Sequence, residues 1–324
     1  MKAMIVNELG PPEIMKLQDL PATSAGPGEI RVRVRAAGLN FPDILMIAGK
    51  YQFRPDPPFV PGMEAAGEIL ETGEGVEAFA PGDRVIIHAR NGLYAEEAVV
   101  PAEWAVPLPE SWDFAEGAAF WSAYNSAYVG LVSRGGLKAG EWVLVHGAAG
   151  GVGLAAVELA HALGARVVAV VGSDAKAEAV RAKGAEVVVD HRSENFRDRV
   201  QEVTGGAGAD VVYDPVGGDV LFQSLRCIAW GGRFLVIGFA GGTIPEVPAN
   251  YALLKSCSVI GVRAGEYGRR DPAAGRAIIA HMLDLAGAGR INPHVHARLP
   301  LVDAARALAL LSRREVIGKV VLTV

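Results

Sequence analysis

Between residues 140 and 262 six short apolar runs recur, each set off from the next by a stretch of helical pattern. They are WVLVH (142–146), RVVAVV (166–171), EVVVD (186–190), DVVYD (210–214), RFLVIG (233–238) and SVIGV (258–262). Strands this apolar need cover on both faces, and helices between successive strands supply it when the strands run parallel. The expected fold class is α/β, built on a doubly wound parallel sheet. Up to about residue 118 the texture is different. EIRVRVRAAG (29–38), EAAGEILETG, GDRVIIHA and YAEEAVVPAE are short strand-like segments punctuated by Pro and Gly, the pattern of a small, irregular β domain. A helix over 272–288 and a last β-α-β stretch follow. This tail is expected to return to the first domain, with a closing strand complementary to residues 1 to 8. The boundaries drawn on this basis are 1–118 with 266–324 for the β-rich domain, and 119–265 for the α/β domain.

Composition narrows the function classes. Thirty-one Lys and Arg against thirty-six Asp and Glu leave a net charge of −5, which is no polycation made to follow a phosphate backbone. MKAMIVNELGPPE has no apolar leader, and no run approaches the roughly 18 residues of a membrane span, so a cytoplasmic protein is expected. Cys227 and Cys257 make neither a disulfide framework nor a CxxC pair, which suits a reducing compartment.

The chemistry begins at HGAAGGVGLAAVELAHALGARVV. Gly150, Gly151 and Gly153 fall where the first apolar strand meets a helix of about twelve residues ending at Gly164. Glycines there let the backbone turn tightly against a pyrophosphate, whose charge rests on the free N–H groups of Gly151 and Val152 and the positive end of the helix. Ala148 stands in the first glycine's place, which a turn with negative φ tolerates. An NAD site ends its second strand in Asp or Glu for the ribose hydroxyls. Here Val171 is followed by Gly172, Ser173, Asp174 and Lys176, and the third strand by His191 and Arg192. Hydroxyl, ammonium, imidazole and guanidinium donors suit a 2′-phosphate, so the expected cofactor is NADPH. Asp174 reads as the cap of the helix that begins there.

AGLNFPDILMIAGKY (37–51), VPGMEAAGEI (60–69), GDRV (82–85), YAEEAVVPAE (94–103) and AAGGVG (148–153) stand in the order seen in medium-chain dehydrogenase/reductases. The chain most resembles their zinc-free NADPH:quinone oxidoreductase branch, the zeta-crystallin-like proteins. The resemblance implies a GroES-like β-rich catalytic domain and a Rossmann domain with NADPH between them. Zinc-dependent relatives carry Gly-His-Glu where this chain has Gly62-Met63-Glu64. Their remaining zinc thiolates would fall near Asn40 and within AAFWSAYNS, neither of which contains cysteine. A catalytic zinc needs three protein ligands, so none is expected, and Glu64 is read as a structural remnant hydrogen-bonded near the cleft floor. Without a Lewis acid to hold an alkoxide, reduction of a conjugated acceptor is the better reading. The resemblance implies NADPH-dependent quinone reduction. A 2-alkenal or enone reductase, an enoyl-CoA reductase and a non-catalytic NADPH-binding protein remain as alternatives.

The same resemblance brings Asn40, Asp43 and Tyr51 nearest the nicotinamide and substrate, with Tyr51 as preferred donor to the acceptor oxygen. It places Ser122, Tyr124 and Asn125 by the nicotinamide ribose and Lys319 among the cofactor contacts. Gly238, Phe239, Ala240, Val262 and Arg263 follow the fifth and sixth strands, at carboxyl ends where such sheets bind ligands. The sixth strand is implied to pair across a two-fold axis in a homodimer. Other features read as structural: His294 and His296 are too few for a metal site, Arg31, Arg33 and Arg35 form a strand's solvent face, and residues 265–270 form a charged loop that would serve an acyl-CoA phosphate only in the enoyl-CoA reading.

Overall fold

A computed structural model describes all 324 residues. The chain divides into two compact units, Met1–Ser122 with Asn292–Val324, and Ala123–Ile291.

The second unit is a six-stranded parallel sheet. Its strands are Trp142–Val145, Arg166–Val171, Val187–Asp190, Ala209–Asp214, Ile228–Val236 and Ser258–Gly261. In chain order they lie 3-2-1-4-5-6 across the sheet. This is the Rossmann arrangement, and its order reverses between the first and fourth strands, where ligands of such sheets bind. Each expected run became a strand because its Val, Leu and Ile side chains are wanted on both faces: Val143, Leu144 and Val145 are all fully buried. Since all six strands run the same way, their carboxyl ends share one edge.

This unit continues to Ile291, past residue 265 where the sequence places its end. The helix Pro272–Gly287 and the turn after it hold to this unit by polar ties that composition does not reveal. His281 Nδ1 and the Tyr128 hydroxyl are 2.7 Å apart, and Arg290 donates to the Ala162 carbonyl. The expected charged loop at 265–270 is itself helical, and Arg269 and Arg270 both pair with Glu266 one turn away.

The first unit is β-rich, with a seven-stranded sheet and a small two-stranded one. Glu29–Gly38 is its centre, pairing antiparallel with Glu64–Thr72, Glu97–Pro101 and the last strand, Lys319–Thr323. Ile30, Val32 and Val34 fill the core while Arg31 and Arg35 reach outward to glutamates on neighbouring strands. The tail does return to this unit, but its closing strand differs from expectation. Lys2–Ile5 pairs with Lys16–Asp19, and Lys319–Thr323 inserts between Glu29–Gly38 and Val295–Pro300. The nearby segment satisfies the N-terminal strand locally, at little loop-closure cost.

Candidate cofactor and active site

Glu64 opens the strand Glu64–Thr72 and is 0 % exposed. A bare carboxylate there would be very costly, so its oxygens are paired. Oε1 accepts from Lys319 Nζ at 2.7 Å and from Asn40 Nδ2 at 2.9 Å, and Oε2 accepts from the Ser122 backbone N–H at 2.9 Å. Lys319, on the last strand, also donates to the Leu39 carbonyl and to Asn40 Oδ1, each at 2.7 Å. An ammonium has three protons, and three acceptors surround it. The site requires a close approach of backbone. A Cβ on Gly38 would lie 2.0 Å from the Ala118 carbonyl oxygen and 2.9 Å from Glu64 Cγ. Glu64 is therefore the anionic centre of a buried lock joining four segments of the chain.

Asn40 and Asp43 belong to the same lock. Asn40 precedes the helix Phe41–Ile47, and its N–H donates to Asp43 Oδ2, which also accepts from the Tyr94 hydroxyl at 2.7 Å. Asp43 is 0 % exposed and caps the helix start, its Oδ2 committed to Asn40 and Tyr94. Burial raises its pKa to about 7, against the opposing hydrogen bonds from Tyr94 and Asn40, and its Oδ1 has no hydrogen-bond partner. Between about pH 4 and pH 7 the folded protein thus keeps a proton that the unfolded chain releases. Stability falls as pH rises through that window and levels off above it. Urea unfolding at a series of pH values should show this slope, and Asp43→Asn should flatten it. An unchanged slope in the variant would assign the effect to other groups. Lys319, expected among the cofactor contacts, is buried with its donors committed inside the lock. Tyr51 is half-buried on the loop after the helix, with its carbonyl accepting from Arg54 Nε. It is the one expected catalytic side chain outside the buried network.

Beside the lock lies an aromatic stack that sequence reasoning missed. Trp121 precedes Ser122, and its ring lies parallel to His88 with centroids 3.8 Å apart, while Trp104 stands 6.0 Å from the same imidazole. No local pattern announces it, since the three rings come from separate elements.

In the second unit the glycine turn has the geometry that its sequence requires. Gly147 carries the left-handed turn at φ 54°, leaving Ala148 outside that region. The Gly150 N–H closes the turn onto the Gly147 carbonyl, and the helix Gly151–Ala162 begins there. A Cβ on Gly153 would stand 2.3 Å from the Gly147 oxygen, so only glycine lets helix and turn approach this closely. At the ends of the second and third strands Gly172, Ser173, His191 and Arg192 come together. A Cβ on Gly172 would meet His191 Nε2 at 2.7 Å. Ser173, not Asp174, caps the helix Asp174–Ala182 by accepting from the Lys176 N–H. Arg192 chelates Asp190 through Nε, at 2.9 and 3.0 Å, and reaches Asp174 at 3.5 Å. The Asp190 carboxyl is accordingly lowered to about 2.

Of the ribose candidates, Ser122 contributes its backbone to Glu64, whereas Tyr124 is buried and donates to Glu158 on the glycine-turn helix. Lys183 donates to that same carboxylate at 2.6 Å. Helical spacing sets residues 124 and 125 about 100° apart, so Tyr124 can face the glycine-turn helix while Asn125 points elsewhere. Asn125 is half-buried on the same helix. Gly238, Phe239 and Ala240 follow the fifth strand, folded back by the Ala240 N–H on the Pro215 carbonyl, and Arg263 precedes the helix after the sixth.

Comparisons with known proteins bear on this assembly. Residues 26–110 match the family model for the alcohol dehydrogenase GroES-like domain, and residues 151–280 match that for zinc-binding dehydrogenase. A quinone oxidoreductase-like protein 2 homolog of Nematostella vectensis is 39% identical over 99% of this chain and 88% of its own. The chain belongs to the medium-chain dehydrogenase/reductases, in their quinone oxidoreductase-like branch. The quinone oxidoreductase of Rattus norvegicus is 34% identical to this family member, over 95% of this chain and 92% of its own. That of Escherichia coli, solved in complex with NADPH, superposes with a TM-score of 0.90 at 31% identity and covers 100% of both chains. The family model's zinc finds no matching donor set here. No three His, Cys, Asp or Glu side chains converge to hold an ion, and the carboxylate that would lie beside the metal is neutralised by Lys319. No helix is long and apolar enough to cross a membrane.

Proposed function

We propose that this family member is a zinc-independent, NADPH-dependent reductase of quinones. The observation that carries the reading is the Glu64–Lys319–Asn40 lock, in which the carboxylate is committed to an ammonium and an amide, while no set of three His, Cys, Asp or Glu side chains converges to hold a Lewis acid. Acceptors that delocalise developing negative charge onto their own oxygen are the ones that this arrangement suits. The fit of the cofactor rests on Gly153, where a side chain would collide with the turn, and on the donor patch formed by Ser173, Lys176, His191 and Arg192. When bound, NADPH supplies the hydride. The glycine turn would hold its pyrophosphate at the amino end of the helix Gly151–Ala162, and Arg192 its 2′-phosphate, with Asp190 fixing the guanidinium. Tyr51 would donate a hydrogen bond to the acceptor oxygen.

The test is NADPH oxidation by EDTA-treated protein against 1,4-benzoquinone, 9,10-phenanthrenequinone, a 2-alkenal and crotonyl-CoA, with NADH as control. Quinone turnover undiminished by EDTA is expected. Arg192→Ala should raise KM for NADPH about tenfold and leave KM for NADH unchanged, as loss of one charge-assisted contact predicts. Turnover confined to the alkenal or crotonyl-CoA would move the acceptor class. NADPH binding without turnover on any acceptor would favour a binding protein, and loss of activity restored by zinc would overturn the metal-free reading.

The same proposal includes a homodimer formed at the sixth strand. Ser258–Gly261 ends the sheet with one edge unpaired, beside a helix that leaves Leu253 79% and Leu254 65% exposed. Open strand edges flanked by large apolar side chains are commonly covered by a partner. Sedimentation should give a dimer that Leu254→Glu dissociates, and a monomeric wild type would refute it.

A further inference from the structure

The first unit carries a cavity of about 440 Å³ that includes none of the residues assigned above to cofactor, acceptor or lock. Its volume lies in the ~300–1,000 Å³ range of small-molecule sites. Phe53 and Trp104 supply aromatic wall, Asn91 an amide, and Arg31, Glu97 and Arg90 the charges. These charges are unequally paired. Arg31 is balanced by Glu71 at 3.2 Å and Glu97 at 3.5 Å, whereas the Arg90 guanidinium lies over the Phe53 ring, 5.3 Å from its centroid, and forms no salt bridge. Arg90 is thus a cation held at an aromatic face with its in-plane N–H groups uncommitted to any carboxylate. A guanidinium so placed presents a planar, bidentate donor edge to an incoming carboxylate, while ring faces accept a flat apolar body.

We propose that this cavity is a binding site for a planar aromatic carboxylate, separate from the nicotinamide site. The acid group is held by Arg90 and the ring system lies against Phe53 and Trp104. Arg90 is the guanidinium of this wall that no carboxylate neutralises, which suits a monoanion, while Arg31 is held by its two glutamates.

Titration calorimetry on the full chain, with 2-naphthoate as probe and neutral 2-naphthamide as its isostere, tests this without relying on turnover. Naphthoate should bind saturably and about tenfold or more tighter than the amide, the scale expected of one charge-assisted bidentate contact. Arg90→Gln should bring naphthoate to the amide's level, and Trp104→Leu should weaken both probes. Neither variant should alter NADPH affinity. Arg90 is exposed, so its substitution leaves the fold intact and any loss reports the contact. Absence of saturable binding, binding indifferent to Arg90→Gln, or displacement of naphthoate by NADPH would each overturn the proposal.

Discussion

Glu64→Leu and Lys319→Met should each destabilise the first unit by about 3–5 kcal/mol, because each leaves the partner's charge buried and uncompensated. The pair is separated by 255 residues in sequence and by 2.7 Å in space, with Glu64 fully buried. Replacing both with apolar residues, Glu64→Leu with Lys319→Met, should cost distinctly less than the sum of the single changes, since no orphan ion remains. Urea unfolding of the four proteins closes the cycle. Strict additivity would mean that the two groups do not depend on each other, and the lock would lose its place as the organising feature of this unit. Activity in folded single variants would fall too, because Asn40 and the backbone at Ser122 are positioned by the same carboxylate.

Gly153→Val should weaken NADPH binding by about 100-fold or more, a loss of roughly 2.7 kcal/mol. The branched side chain would begin 2.3 Å from the Gly147 carbonyl, so either the turn opens or the helix retreats. Both movements carry the amino end of the helix away from the pyrophosphate it is proposed to hold. Fluorescence titration with NADPH measures the loss, and circular dichroism confirms that the sheet persists. Retained affinity in a folded variant would show that the turn does not approach the phosphates.

How much of this could be read in the sequence depends on the range of the interactions. The Rossmann sheet announces itself because each strand and each helix repeats a local pattern, and the twelve-residue helix from Gly151 to Ala162 falls where glycines at both ends place it. The GroES-like unit was legible as a texture and as a resemblance, but the pairing of its terminal strands was not. Lys2–Ile5 and Lys319–Thr323 are both short and apolar, and nothing in either says which neighbour each will choose. At the site, Glu64 could be flagged as a charge in apolar company, yet its partner sits in IGKVVL, where a lysine looks like the ordinary polar start of a strand. Asp43 shows what a resemblance leaves out: the motif placed it nearest the substrate, and only the structure reveals its complete burial and the Tyr94 hydroxyl that ties it to the start of the helix Phe41–Ile47. The stack of Trp121 on His88 had no signal at all, because ring contacts between distant elements leave no periodicity behind.

The interleaving of the two units has a consequence for the order in which the molecule is made. The Rossmann unit is one uninterrupted length of chain, Ala123–Ile291, and can assemble as soon as it leaves the ribosome. The unit synthesised first cannot. Its sheet lacks the strand Lys319–Thr323 and its buried carboxylate lacks a cation until the chain beyond the Rossmann unit has been made. The segment Met1–Ser122, made before the Rossmann unit, therefore keeps a strand edge open until Lys319–Thr323 has been made and reaches it.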